Sequence, residues 1–82
     1  MYTIIKKKLK ALEGEVFYTV TGKPYTFKFV SENAITPSRT KYSISLRNFE
    51  EAFNIHPTEL RQIKHLRGPS YVFGIITDKR FL

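Results

Sequence analysis

The chain has no cysteine and no tryptophan, and only four glycines and four prolines in 82 residues. Without cysteine there can be neither a disulfide nor a cysteine–zinc staple, and no thiol nucleophile. The absence fits a reducing compartment, and we read the chain as cytoplasmic. Long apolar runs are also missing. Nothing approaches the roughly 20 residues needed to cross a bilayer, and in "MYTIIKKKLKALEG" lysines interrupt the apolar stretch, so it does not read as a secretory signal.

Acidic residues are the other scarcity. Seven Asp and Glu face fourteen Lys and Arg, for a formal charge of +7. Residues 1–41 hold eight cations and three acids, while residues 42–82 hold six and four. Such an excess draws in polyanions and speeds their association. The plainer reading is solubility alone.

What is present is aromatic: seven Phe and five Tyr. A domain this small buries roughly 60–70% of its unfolded surface. Each buried ring removes roughly 150–250 Å² from water, so the aromatics suit a small core. The whole chain, residues 1–82, reads as one basic domain without repeats or linkers.

Ile5, Leu9 and Leu12 recur at helical spacing and predict a helix over 3–13, with Thr3 as a cap and Gly14 beyond its end. Lys6, Lys7, Lys8 and Lys10 occupy its outer face. The segment "EVFYTVTGKPYTFKFV" predicts a β-hairpin turning at Thr21-Gly22-Lys23-Pro24. Its second strand sets Tyr25, Phe27 and Phe29 on one face against Thr26, Lys28 and Val30 on the other. "SENAITPS" reads as a loop, and 39–44 as a third strand with Tyr42 and Ile44 inward and Arg39 and Lys41 outward. Ser45 then caps a helix, with Ile44 and Phe49 spaced as a hydrophobic staple. A further helix is expected over 57–66, opened by Pro57 and stopped by Gly68. The last segment, 70–80, reads as a helix capped by Ser70, with Phe81 and Leu82 tucked into the core. The expected fold is α+β: an N-terminal helix, a three-stranded antiparallel meander, then two or three short helices on one face of the sheet.

Catalytic motifs are sparse. His56 and His65 have no third ligand at metal spacing, and Gly22-Lys23 lacks the remainder of a phosphate loop, so no metal, cofactor or catalytic group is assigned. Glu50 and Glu51 are adjacent and diverge around a helix. A metal-independent ribonuclease of toxin type, drawing on Tyr71, Asp78, Lys79, Arg80 and the histidines, is a third reading. The first is a nucleic-acid-binding module, most simply for duplex DNA. On it Lys23, Lys28 and Lys41 neutralise phosphates, Arg39 offers its guanidinium fork to guanine, and Thr26 adds hydrogen bonds. Lys6, Lys7 and Lys10 supply sequence-independent attraction. The second is a protein-interaction module, with an acidic partner or a second copy, and no membrane.

Overall fold

Short elements with local causes make up the fold. The computed structural model describes residues 2–82. α1 (Tyr2–Leu12) buries Ile5 and Leu9 and leaves Ile4 outside. It starts at Tyr2, so Thr3 lies within it and does not cap it. Gly14, at φ +89°, supplies the left-handed step that ends it. β1 (Phe17–Tyr18) and β2 (Pro24–Tyr25) then form a two-stranded ribbon with Phe17 opposite Tyr25. Its turn is closed by Gly22 N donating to Thr19 O at 2.9 Å, with Gly22 at φ +84°.

After Thr26 the chain continues as β3 (Phe27–Ser31), β4 (Ala34–Pro37) and β5 (Ile44–Ser45), an antiparallel sheet in that order. Two sequence expectations fail here. The "SENAITPS" stretch is not a loop: Ser31 pairs with Ala34 across a two-residue turn at Glu32-Asn33, and Ala34–Pro37 is the middle strand. Nor is 39–44 a strand; only Ile44–Ser45 pairs, with Ala34 and Ile35. The chain turns immediately after Pro37, with Thr40 N donating to Pro37 O. Ser38 Oγ then takes Thr26 N, and Thr40 Oγ1 takes Tyr42 N. The Thr40 bond, two residues along the chain, is of the local kind that competes with a sheet ladder, whereas Ser38 extends the β3–β4 pairing to Thr26. Pro37 is tolerated because β5 reaches only Ala34 and Ile35, so no partner needs its missing N–H.

The open side of β3 is closed by the turn that follows α1. Glu13 Oε2 accepts the Phe29 N–H at 2.7 Å, and Gly14 N donates to Phe27 O. That blunts an edge which would otherwise invite another strand.

α2 (Leu46–Ile55) begins as expected, with Ser45 Oγ accepting from Arg47 N and both staple residues, Ile44 and Phe49, fully buried. It ends at His56, in the left-handed region at φ 54°. The helix expected over 57–66 shrinks to a single 3₁₀ turn, Leu60–Ile63. Gln62 Oε1 accepts the Thr58 and Glu59 N–H groups, and Lys64 and Leu66 donate to the residues three before them. The backbone is thus held in tight turns instead of propagating a helix.

α3 (Pro69–Ile76) confirms a helix in the last segment, but Gly68, not Ser70, stands at its N-cap, and Pro69 opens it. Its buried face is Val72, Ile75 and Ile76. Gly74 lets it approach the β1–β2 ribbon: an added Cβ would lie 2.6 Å from both Tyr18 O and the Tyr25 hydroxyl. Phe81 is fully buried, whereas Leu82 is exposed, so only the first joins the core. That core runs from Phe17, Tyr25 and Phe27 through Ile35, Ile44 and Phe49 to Ile75 and Phe81. Among the described residues, no helix is long and apolar enough to cross a membrane.

Candidate functional site

Breaking the expected third strand redistributes its cations. Alternate residues of the Ser38–Tyr42 loop line two neighbouring clefts. Arg39 and Tyr42 face a cleft of about 350 Å³, whose other walls are the β1–β2 turn (Thr19, Lys23) and the start of α3 (Ser70, Tyr71). Ser38 and Thr40 face a second cleft of about 410 Å³, shared with Thr26, Lys28 and Thr36. Among the described residues no acid lines either one. The loop therefore separates two hollows, and Lys41 is exposed along it.

The first cleft is built rigidly. Tyr25 donates its hydroxyl to Tyr71 O at 2.7 Å, and the two rings meet edge-on at 5.0 Å. This fastens α3 to the ribbon at the closest point of the approach that Gly74 permits. Burial, followed by the neighbouring Tyr71 and Asp78, pushes the Tyr25 phenol far above its ordinary value. On the opposite wall Arg67 lies over the Tyr42 ring, 4.5 Å from its centroid, and Arg67 Nε donates to Ser43 O. Gly68 sits under this wall at φ +61°, where a Cβ would fall 2.5 Å from Ile44 Cδ1. The hydrogen bonds of Tyr42 and Tyr71 run through their backbone, which leaves both side chains to the cleft. The sequence pattern places Tyr42 inside the core. In the structure its half-buried ring packs against the edge of the core and also forms a wall of the cleft.

The sequence-predicted residues divide into two groups. Lys23 and Arg39 share the first cleft, while Thr26 and Lys28 share the second. Among the described residues none of Lys23, Lys28, Arg39 and Lys41 has an acidic group within ion-pair distance. The α1 lysines belong elsewhere. Lys6 pairs with Glu32 at 2.8 Å, and this contact holds the Glu32 carboxyl below its usual range. Lys10 lies 4.9 Å over the Phe29 ring. Only Lys7 of that predicted trio is exposed without such a contact among the described residues. Phe29 and Lys28 are neighbours on β3 and project to opposite faces, so Lys10, over Phe29, and Lys28 lie on different sides of the sheet.

Three cleft residues, Tyr42, Ser70 and Tyr71, are not assigned to nucleic-acid binding by the sequence. The Arg67-Gly68-Pro69-Ser70 junction held the available signal, because Gly-Pro stops one element and opens another, exposing the residues just after it.

The groups considered for ribonuclease chemistry do not converge. His65 Nε2 is 2.8 Å from Glu51 Oε2, and His56 lines an apolar groove with Phe53 and Pro57. Arg80 is held by Asp78, Glu15 and the Val16 carbonyl, and of the set only Tyr71 reaches either polar cleft. Among the described residues no three His, Asp or Glu side chains group to hold a metal ion.

Compared with protein-family models, curated proteins and solved structures, the chain matches none. Its functional reading therefore comes from the geometry of these clefts.

Proposed function

We propose that the protein is a small nucleic-acid-binding module that contacts the phosphate backbone through the twin-cleft face. One observation carries this reading: Lys23, Lys28 and Arg39 line two hollows that no described carboxylate lines, with Lys41 exposed in the loop between, while the acids neutralise cations elsewhere. Six of the seven acidic residues have partners elsewhere: Glu13 holds the Phe29 N–H, Glu15 and Asp78 hold Arg80, Glu32 holds Lys6, Glu51 holds His65 and Glu59 holds Arg61. Lys23, Lys28 and Arg39 thus line hollows with no acid to consume their charge, and a polyanion is the partner that such a field recruits.

Fluorescence anisotropy with labelled DNA and RNA oligonucleotides tests the reading. Binding at low salt should weaken on a log–log plot with a slope near −0.9 per phosphate contacted on a duplex, or about −0.7 on a single strand. Four cations give a slope of roughly −3 to −4. Absence of binding to any oligonucleotide at low salt overturns it.

A protein-interaction role is the second reading, favoured by a different surface. Val16, Tyr18 and Val20 are 45%, 60% and 57% exposed along one face of the β1–β2 ribbon. A stripe of this kind is a feature of contact surfaces. Concentration-dependent sedimentation, and its loss in Tyr18→Lys, would favour self-association through this stripe.

A further inference from the structure

Both clefts are hollows, and that shape bears on which nucleic acid they take. We propose, resting on the nucleic-acid reading of this face, that the first cleft seats one unstacked nucleotide of a single strand, base against Tyr42 and Tyr71 and backbone along Lys23 and Arg39. Duplex recognition needs an element that enters a groove or a plane of cations laid upon it. The sheet offers no such plane, because the third strand is only Ile44–Ser45 and Arg39 and Lys41 lie in the loop before it. Around β1 the exposed Val16 and Val20 offer no donor or acceptor with which to read base edges in a major groove, and Tyr18 offers one hydroxyl.

A single strand suits the hollow in three ways. Its bases are free to leave the stack, and aromatic walls reward them with sequence-tolerant stacking. Tyr42 and Tyr71 are such walls, half-buried and fixed from behind, Tyr42 by the Arg67 guanidinium and Tyr71 by Tyr25. Fixed rings lose little entropy on binding. A volume of about 350 Å³ lies at the small end of ligand pockets, the scale of one nucleotide and not of a duplex. The second cleft, beyond the Ser38–Tyr42 loop, continues the track with Lys28 and further hydroxyls from Ser38 and Thr40. That continuity favours a strand over a free mononucleotide, which would fill only the first hollow.

The test measures affinities of the intact protein for a DNA and an RNA strand of about ten nucleotides, the same DNA as a duplex, and adenosine monophosphate as competitor. The expected result is single-strand binding at least about tenfold tighter than duplex binding, with the nucleotide competing only weakly. Tyr42→Ala should lose about tenfold and Tyr42→Phe almost nothing, because the face of the ring does the stacking. Should Tyr42→Ala fail to fold, the Tyr42 and Tyr71 ring resonances of the wild-type protein serve instead. They should move upfield on titration with the single strand, and static rings would overturn the proposal. Duplex binding as tight as single-strand binding, or an unchanged Tyr42→Ala, removes the nucleotide seat and leaves a backbone-binding face standing. Displacement by the mononucleotide at the strand's own concentration replaces the strand with a free nucleotide and likewise overturns the proposal. Binding to none of these removes both readings.

Discussion

The α1 lysines and the loop cations make an instructive pair. In the sequence, "KKKLK" is the densest run of positive charge, whereas Lys23, Lys28, Arg39 and Lys41 are scattered. In the structure their availability reverses. Lys6 is held by Glu32, Lys10 covers Phe29, and Lys8 donates to Phe81 O at 2.7 Å. Of the scattered four, Lys23, Lys28 and Arg39 line two hollows with no acid among the described linings. Charge density along a chain is therefore a poor guide to charge free to act. Lysines on a helix against a sheet spend their stems and ammonium groups on internal contacts.

That contrast can be broken most forcefully at the cleft's foundation. Gly74→Ala drives a methyl into the Tyr18 carbonyl and the Tyr25 hydroxyl, and should destabilise the protein by about 2 kcal/mol in urea denaturation. Tight nucleic-acid binding by a Gly74→Ala protein of unchanged stability would mean that the cleft does not depend on this approach.

The next effect compares the two sets of cations directly. Lys23→Ala with Arg39→Ala should lower oligonucleotide affinity by about tenfold or more and flatten the salt slope by roughly 1.5 to 2. Lys6→Ala with Lys10→Ala should leave that slope almost unchanged. Equal losses in the two double variants would erase the distinction between spent and available charge.

A smaller effect concerns the fastening between ribbon and α3. Tyr25→Phe removes the hydrogen bond to Tyr71 O, at a cost of about 1 kcal/mol near neutral pH. Because the folded state holds the phenol far above its ordinary value, the stability it contributes is complete below about pH 10. It is lost as pH rises beyond that, where the unfolded chain ionises first. Tyr25→Phe should therefore show a shallower alkaline decline than wild type, read from denaturation midpoints across roughly pH 9–11.

The smallest lies on the acid side. Glu32, through Lys6, and Asp78, through Arg80, both hold lowered values. Each contributes stability above its unfolded value near about 4 and loses it as pH falls through the folded one. Both groups are solvent-screened, so Glu32→Gln should reduce acid sensitivity only slightly in the same measurement.

The inward stripe of α1 and the start of α2 were legible because their information is local, unlike the helix expected over 57–66. Ile5 and Leu9 on one stripe, Ser45 before Leu46, and Ile44 with Phe49 are relations within a few residues, and each survives in the structure. The sheet was harder. "RTKYSI" alternates like a strand, yet alternation says nothing about Thr40 N turning back to Pro37 O or the Thr40 hydroxyl taking Tyr42 N, and those bonds curl the loop. The strand that does exist, "AITP", hides behind a Glu32-Asn33 turn with no glycine to announce it. For the site, the cations were readable by type, but their grouping was not, since Lys23 and Tyr71 meet only through the Tyr25–Tyr71 and Gly74 contacts. Side chains assigned to a flat face instead line a concave one.

The placement of Phe81 has a consequence for biosynthesis. Its ring is fully buried against Phe53, and Lys8 from the first helix bonds its carbonyl across 73 positions of chain. During translation the amino-terminal half emerges with that gap in its interior still unfilled. The domain can close only after α3 and Phe81 have cleared the ribosome, so the nascent chain exposes its aromatic surface until that segment has been made.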